Sequence, residues 1–166
     1  MKIDLPAEPK PEHVSVVYDH REEPSQLDVS PLRMVRGTLD VGDYVLEAMP
    51  RYACIERKTA TDFLACCGRE RKRLDSQLER LKQFPARLLL VEMSWQMIEA
   101  GEWRDDVSPE SARGTLLGAM EMGVPVMLLP SRELAGTYAA RWLFIAARRR
   151  WRELYGFAKG LKEPST

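Results

Sequence analysis

Cysteine and histidine are scarce in this chain, three and two residues respectively among 166. Cys54, Cys66 and Cys67 make an odd number, form no C-x-x-C pair and lie far from both histidines. That pattern argues against a zinc site and leaves reduced thiols in or near the core of a cytosolic protein. Net charge is missing as well: 25 basic and 25 acidic side chains cancel, so bulk charge gives no pull toward a polyanion. Long apolar runs are also absent. The opening "MKIDLPAEPKPEH" has no apolar segment of secretory type, and "YAARWLFIAA" runs into arginines before it is long enough to cross a bilayer. These absences point to a soluble, cytoplasmic protein with no membrane partner. No internal repeat is visible.

What is present suits one domain with a sizeable core: apolar residues are 45% of the chain and charged residues 30%. Charge is distributed unevenly. Arg69, Arg71, Lys72, Arg73, Arg80, Lys82 and Arg87 crowd the middle, and Arg148, Arg149, Arg150 and Arg152 cluster late, where they can meet phosphates despite the neutral total. Residues 1–12, with Pro6, Pro9 and Pro11 among charges, read as a flexible lead-in. "HVSVVYD", "PLRMVRGTL", "VGDYVLE" and "RYACIERK" read as strands, the last two forming a hairpin that brings Asp43 and Glu56 onto neighbouring strands. Two turns of helix from Thr59 and a helix over 69–84 follow, the second with Leu74, Leu78 and Leu81 on its apolar side and Pro85 as its stop. "ARLLLVEM" and "VPVMLLP" are buried strands. Between and after them lie a helix capped by Ser108 and closed by Gly123, and a long helix opened by Ser131. "EMSWQMIEAGEWRDD" reads as a polar loop. The order predicts a mixed sheet covered by helices.

Acids gather at the ends of the early strands: Asp19 and Glu22 in "YDHREE", Asp43 in "GDY" and Glu56 in "ERK". Hard oxygen ligands of this kind suit Mg²⁺ or Mn²⁺, with waters and phosphate completing the shell. Period-two geometry turns Glu56 and Lys58 to one face of the strand and Arg57 to the other. Beside carboxylates Lys58 is expected to stay protonated and to act electrostatically rather than as a base. Blander readings stand beside these. Asp43 after Gly42 is also a turn residue, Glu56 and Lys58 also suit a solvated strand edge, and Asp62 also suits the third position of a helix capped by Thr59, reaching back to the Thr59 amide.

Taken in order, "VVYDHRE", "LDVGDYVL", "CIERKTATDF" and "GRERKRLDSQLERLKQFPARLLLVE" resemble the nuclease domain of the XPF family of structure-specific endonucleases, whose signature is G-D-x(n)-E-R-K-x-x-x-D. The resemblance spans about residues 14–150. It implies an α/β, restriction-endonuclease-like mixed central sheet flanked by helices, and a divalent-metal-dependent DNA endonuclease cutting branched, flap or fork structures, as in repair or recombination. By position, Asp43 and Glu56 take the central Mg²⁺ or Mn²⁺, while Asp19 and Glu22 add a water-mediated or second-ion contact. Arg57 and Lys58 take the basic pair, and Asp62 the closing aspartate, where it either caps the helix or holds Arg57 or Arg69. Gly68, Arg69, Arg73 and Gln77 take the segment beside the DNA backbone, a basic helix start suited to phosphate.

The resemblance implies residues 13–158 as the nuclease domain and 159–166 as a C-terminal tail; the helix-hairpin-helix common in that family has no counterpart in "ARRRWRELYGFAKGLKEPST", a departure that leaves room for a DNA-gripping partner protein. Phe144, Ala147, Trp151, Leu154 and Ala158 fall on one side of the last helix, either as core or as a homodimer surface. Trp95 and Trp103 read as half-buried packing residues or as a platform for unpaired bases. A nucleoid or nuclear location follows if the protein is DNA-associated. The alternative is a catalytically silent DNA-binding or scaffold subunit of a nuclease complex. Such a partner is expected to lose one of Asp43, Glu56 or Lys58, and all three are present.

Overall fold

The computed structural model describes residues 6–104 and 106–160. Four strands come first, β1 (Ser15–Asp19), β2 (Arg33–Gly37), β3 (Tyr44–Leu46) and β4 (Ala53–Lys58). Then come α1 (Ala60–Cys67), α2 (Arg71–Leu81), β5 (Ala86–Val91), α3 (Trp95–Ala100), α4 (Pro109–Glu121), β6 (Val126–Leu128) and α5 (Arg132–Gly160). The strands form one sheet in the order β2-β1-β3-β4-β5-β6. β3 runs antiparallel to both β1 and β4, and the remaining neighbours are parallel. The α/β architecture anticipated above, a mixed central sheet flanked by helices, is the one observed, including the β3–β4 hairpin.

β4 explains why the core has two halves. Its six side chains are all buried and alternate between faces. Ala53 and Ile55 join Val16, Leu46, Leu88, Leu90 and the Ala139–Leu143 stretch of α5. Cys54 faces the other way, among Phe63, Leu74, Leu78, Leu89 and Leu116 from α1, α2, β5 and α4. Each such aliphatic side chain contributes about 1.5–3 kcal/mol by leaving water. All three cysteines are buried and free, as expected.

Local chemistry sets the element ends. Ser108 caps α4 by accepting the Ser111 amide at 3.1 Å, and Ser131 accepts the Leu134 amide at 3.2 Å at the head of α5. α2 is shorter than the span 69–84 expected from periodicity. Gly68 ends α1, and Gly68–Glu70 turn the chain before Arg71. At the other end, residues 82–84 tighten into a turn ahead of Pro85, whose ring disfavours helix in the residue before it. The supposed polar loop holds α3: Ser94 accepts the Met97 amide at 3.1 Å, and Gly101 closes the helix at φ 63°. Only Ile98 of α3 is buried, so apolar periodicity could not reveal it.

Trp103 packs as a half-buried residue and donates to the Val107 carbonyl at 2.7 Å, whereas Trp95 is exposed. The apolar line expected along the last helix divides: Phe144 and Ala147 join the core, Trp151 stacks on Tyr155 at 4.7 Å, and Leu154 is exposed. Glu8, inside the expected lead-in, pairs with Arg152 at 2.6 Å. Among the described residues no helix is long and apolar enough to cross a membrane.

Candidate active site

The G-D pair has a steric cause. Gly42 sits at φ 70°, and a Cβ there would run into the Cys54 thiol and lie 3.1 Å from the Ile55 carbonyl. Only glycine lets the chain turn so tightly against β4. The turn fixes Asp43 by three bonds: its amide donates to the Ile55 carbonyl at 2.8 Å, its carbonyl accepts the Asp19 amide at 2.9 Å, and its Oδ2 accepts the Arg57 amide at 2.7 Å. The carboxylate is thereby pinned between the C-terminal ends of β1 and β4.

Glu56, Arg57 and Lys58 end β4 and are almost wholly buried, at 3%, 5% and 5% exposure. Their side chains part as strand geometry requires. On the α2 side, Lys58 Nζ donates to Glu56 Oε1 at 2.7 Å and to Gln77 Oε1 at 3.0 Å. On the α5 side, Arg57 Nη1 donates to Glu22 at 2.7 Å and Nε to Glu92 at 2.6 Å. Burial alone would drive the Lys58 proton off, but the charge and hydrogen bond of Glu56, with the charge of Asp43, outweigh it and lift its pKa. Lys58 remains an ammonium. Burial opposes the charge of Arg57 in the same way, and Glu92 and Glu22 overcome it.

Asp43 shows the opposite balance. Burial raises its pKa well above the ordinary carboxylate value, and the negative charges of Glu56 and Glu22 add to the rise, against a lowering by the Arg57 amide and Lys58. Five carboxylates, Asp19, Glu22, Asp43, Glu56 and Glu92, meet here with three cations, Arg21, Arg57 and Lys58. The excess negative charge is what a divalent cation relieves. Among the described residues no three His, Cys, Asp or Glu side chains already form a ligand cluster. The fit is to an ion taking few protein ligands: Mg²⁺ characteristically uses one or two carboxylates, and Asp43 and Glu56 can supply them.

Other expected site residues take different places. Asp19 is fully buried, and its two oxygens accept four bonds: Arg21 N at 2.9 Å, Nε at 2.6 Å and Nη2 at 3.1 Å, and the Leu39 amide at 2.7 Å. Those bonds engage the lone pairs a carboxylate offers, so Asp19 anchors Arg21 and the Leu39 amide at the end of β1. Glu22 is held by Arg57 and by the Tyr44 hydroxyl at 3.0 Å, which also accepts the Leu27 amide at 2.7 Å. Asp62 is exposed. It accepts the Thr59 hydroxyl at 2.7 Å while its amide donates to that hydroxyl, so it completes the cap of α1 through the hydroxyl, not the Thr59 amide. Arg57 pairs with Glu22 and Glu92 instead of Asp62, and Arg69 lies 3.9 Å from Glu70. Gln77, expected beside the DNA backbone, accepts from Lys58 and orients it. Arg69 and Arg73 are exposed, and Arg73 pairs with Glu70 at 2.8 Å.

Sequence reasoning passed over Glu92, Tyr44 and Arg21. Glu92 follows the four buried residues that end β5, and its amide donates to the Lys58 carbonyl at 2.9 Å. An acid directly after a two-sided apolar strand was the available signal. Tyr44 adjoins Asp43 and Arg21 lies between Asp19 and Glu22, so their nearness was legible though their contacts were not.

Comparisons with known proteins agree with this fold. The ERCC4 domain model matches residues 18–141. A structure of XPF from Aeropyrum pernix superposes with a TM-score of 0.62 at 22% identity, covering 82% of this chain and 61% of that one. A second, XPF from Aeropyrum pernix in complex with DNA, gives a TM-score of 0.59 at 20% identity, covering 84% of this chain and 66% of that one. The chain thus spans less than two thirds of either structure. No curated protein sequence matches it. With the match extending from β1 into α5 and including the Gly42-Asp43 turn and the Glu56-Arg57-Lys58 strand end, the chain belongs to the ERCC4 domain family and has the fold of an XPF-type nuclease domain.

Proposed function

We propose that this chain is a Mg²⁺- or Mn²⁺-dependent endodeoxyribonuclease that hydrolyses phosphodiesters in branched, flap or fork DNA. The observation carrying the reading is the juxtaposition of Asp43, its pKa driven up by burial and neighbouring acids, with the Glu56–Lys58 pair at 2.7 Å. Asp43 and Glu56 hold the ion. Such an ion supplies a water of lowered pKa and neutralises charge on the scissile phosphate. Lys58, kept protonated, donates from Nζ to the phosphate oxygens as charge develops, while Glu56 and Gln77 fix its direction. Arg57, clamped by Glu22 and Glu92, holds the strand end rigid and keeps its amide on Asp43. The exposure of Arg69 and Arg73, beside the start of α2, supports a role for both on the DNA backbone.

One related structure was solved in complex with DNA, which supports DNA as the partner here. Exposed Leu134 and Tyr138, one turn apart near the start of α5, support pairing of two copies. A separate DNA-gripping protein remains part of the same proposal.

The test is cleavage of labelled splayed-arm, flap and plain duplex DNA with Mg²⁺ or Mn²⁺ by the wild type, Asp43→Ala and Glu56→Ala. Junction-selective cutting by the wild type and loss in both variants is expected. A folded wild type that binds these DNAs yet cuts none with either metal would move the assignment to a silent scaffold subunit.

A further inference from the structure

The other end of the sheet also carries a concentration of charge. Opposite the carboxylates, where β4 and β5 begin, a groove opens between the β4–β5 edge and the second half of α5. Its walls carry the half-buried rings of Tyr52 and Trp142, and Arg51, Arg87, Arg149 and Arg150 surround them. One acid, Glu153, lines it, holding Arg149 at 3.2 Å and Arg150 at 3.3 Å. Arg87 is fixed by donating to the Gly123 carbonyl at 2.9 Å and the Phe84 carbonyl at 3.0 Å, and the Arg150 guanidinium lies 5.3 Å over the Tyr52 ring. A chain with no net charge has therefore concentrated cations around two aromatic faces.

We infer that this groove binds a single nucleic-acid strand, the arm of a branched substrate that lies away from the cleavage centre; the arm assignment rests on the endonuclease reading above. Clustered arginines supply phosphate contacts, and the half-buried Trp142 ring, with Arg150 held over the Tyr52 ring, supplies contacts that tolerate any base. A second copy of the chain is the poorer occupant. Across a two-fold axis the same patch meets itself, and four guanidiniums with one carboxylate then face their own kind. The six-residue strands β4 and β5 separate groove from carboxylates by about 20 Å. That is roughly the axial length of six duplex base pairs at ~3.4 Å each, so one branched substrate can reach both.

The experiment is fluorescence anisotropy of a labelled oligothymidylate, in EDTA and across a salt series, with wild type and an Arg51→Ala/Arg149→Ala double variant. Both substituted side chains are exposed and far from the carboxylates. The double variant is expected to bind at least tenfold more weakly, with its log–log salt slope reduced by about 1.4, at ~0.7 per lost phosphate contact on a single strand. Unchanged affinity and slope, or no binding by the wild type, overturns the inference. So does sedimentation showing that the double substitution splits a dimer, which would make the groove a copy interface. Because binding is read without metal or cutting, loss in the double variant upholds strand binding even if the protein cuts nothing. In that case only the endonuclease reading and the arm assignment fall.

Discussion

Asp19 and Asp43 are joined by a backbone hydrogen bond of 2.9 Å, yet the protein treats their carboxylates in opposite ways. Burial raises the pKa of Asp19, but bonds from the Arg21 side chain and from the Leu39 and Arg21 amides outweigh it and hold the group well below the ordinary range. Asp43 has one bond to its carboxylate, from the Arg57 amide, and two acids beside it. One aspartate is satisfied and holds the fold together. Its neighbour is left with burial and acidic neighbours that the Arg57 amide and Lys58 do not offset. An imbalance of that kind at a strand end marks the place where a ligand completes the structure.

The largest expected effect tests the satisfied member. Asp19→Ala strands the Leu39 amide and releases Arg21. Because Arg21 is itself mostly exposed, the cost falls short of that for a fully buried pair, at about 2–3 kcal/mol in urea denaturation. The pH dependence has a definite sign. A depressed folded-state pKa contributes stability that is fully present above 3.8, the ordinary value, and lost as pH falls through the lower folded value. Asp19→Ala therefore weakens the protein at neutral pH and flattens its acid limb. An unchanged midpoint would mean that the Arg21 and Leu39 bonds contribute nothing.

Asp43→Asn should act in the opposite direction. Its folded-state pKa is raised, so stability is highest below 3.8 and declines as pH rises toward the folded value. Asparagine keeps an oxygen for the Arg57 amide and removes the charge. A gain of about 1 kcal/mol at pH 7 is expected, in line with stabilisation commonly found when a functional group is neutralised, and a Tm higher by roughly 2–4 °C. Under the metal reading, Mg²⁺ raises the wild-type Tm and leaves that of the variant unmoved. A variant less stable than wild type without metal would erase the contrast between the two aspartates.

How much of this was legible follows from what periodicity can report. β5 was readable because an apolar run of that kind has few alternatives, and β3 because alternating apolar residues follow the Gly42-Asp43 turn. α3 was not, since one buried residue leaves no pattern and only its Ser94 and Gly101 ends mark it. In the site, residue types predicted the acids but not the allocation of bonds. Nothing in "YDHREE" says that Arg21 folds back on Asp19 while Glu22 takes Arg57, because that depends on a partner 35 residues away. The contact of Gln77 with Lys58 was hidden for the same reason, since it joins α2 to β4 across 19 residues.

Asp62 gives the smallest effect and the finest discrimination. It belongs to the E-R-K-x-x-x-D pattern, yet its carboxylate is exposed and bonded to Thr59 in the first turn of α1. A carboxylate at that position favours the helix through its dipole and cap by about 0.5 kcal/mol. Asp62→Asn is expected to lower stability by that amount and to leave junction cutting within about twofold of wild type. Loss of cutting by orders of magnitude at unchanged stability would instead place Asp62 in contact with the substrate, and the exposed cap would then be its resting position. Pairing this variant with Thr59→Val separates the cases. If Asp62 works only through the cap, removing the Thr59 hydroxyl first leaves its own substitution with almost nothing further to cost.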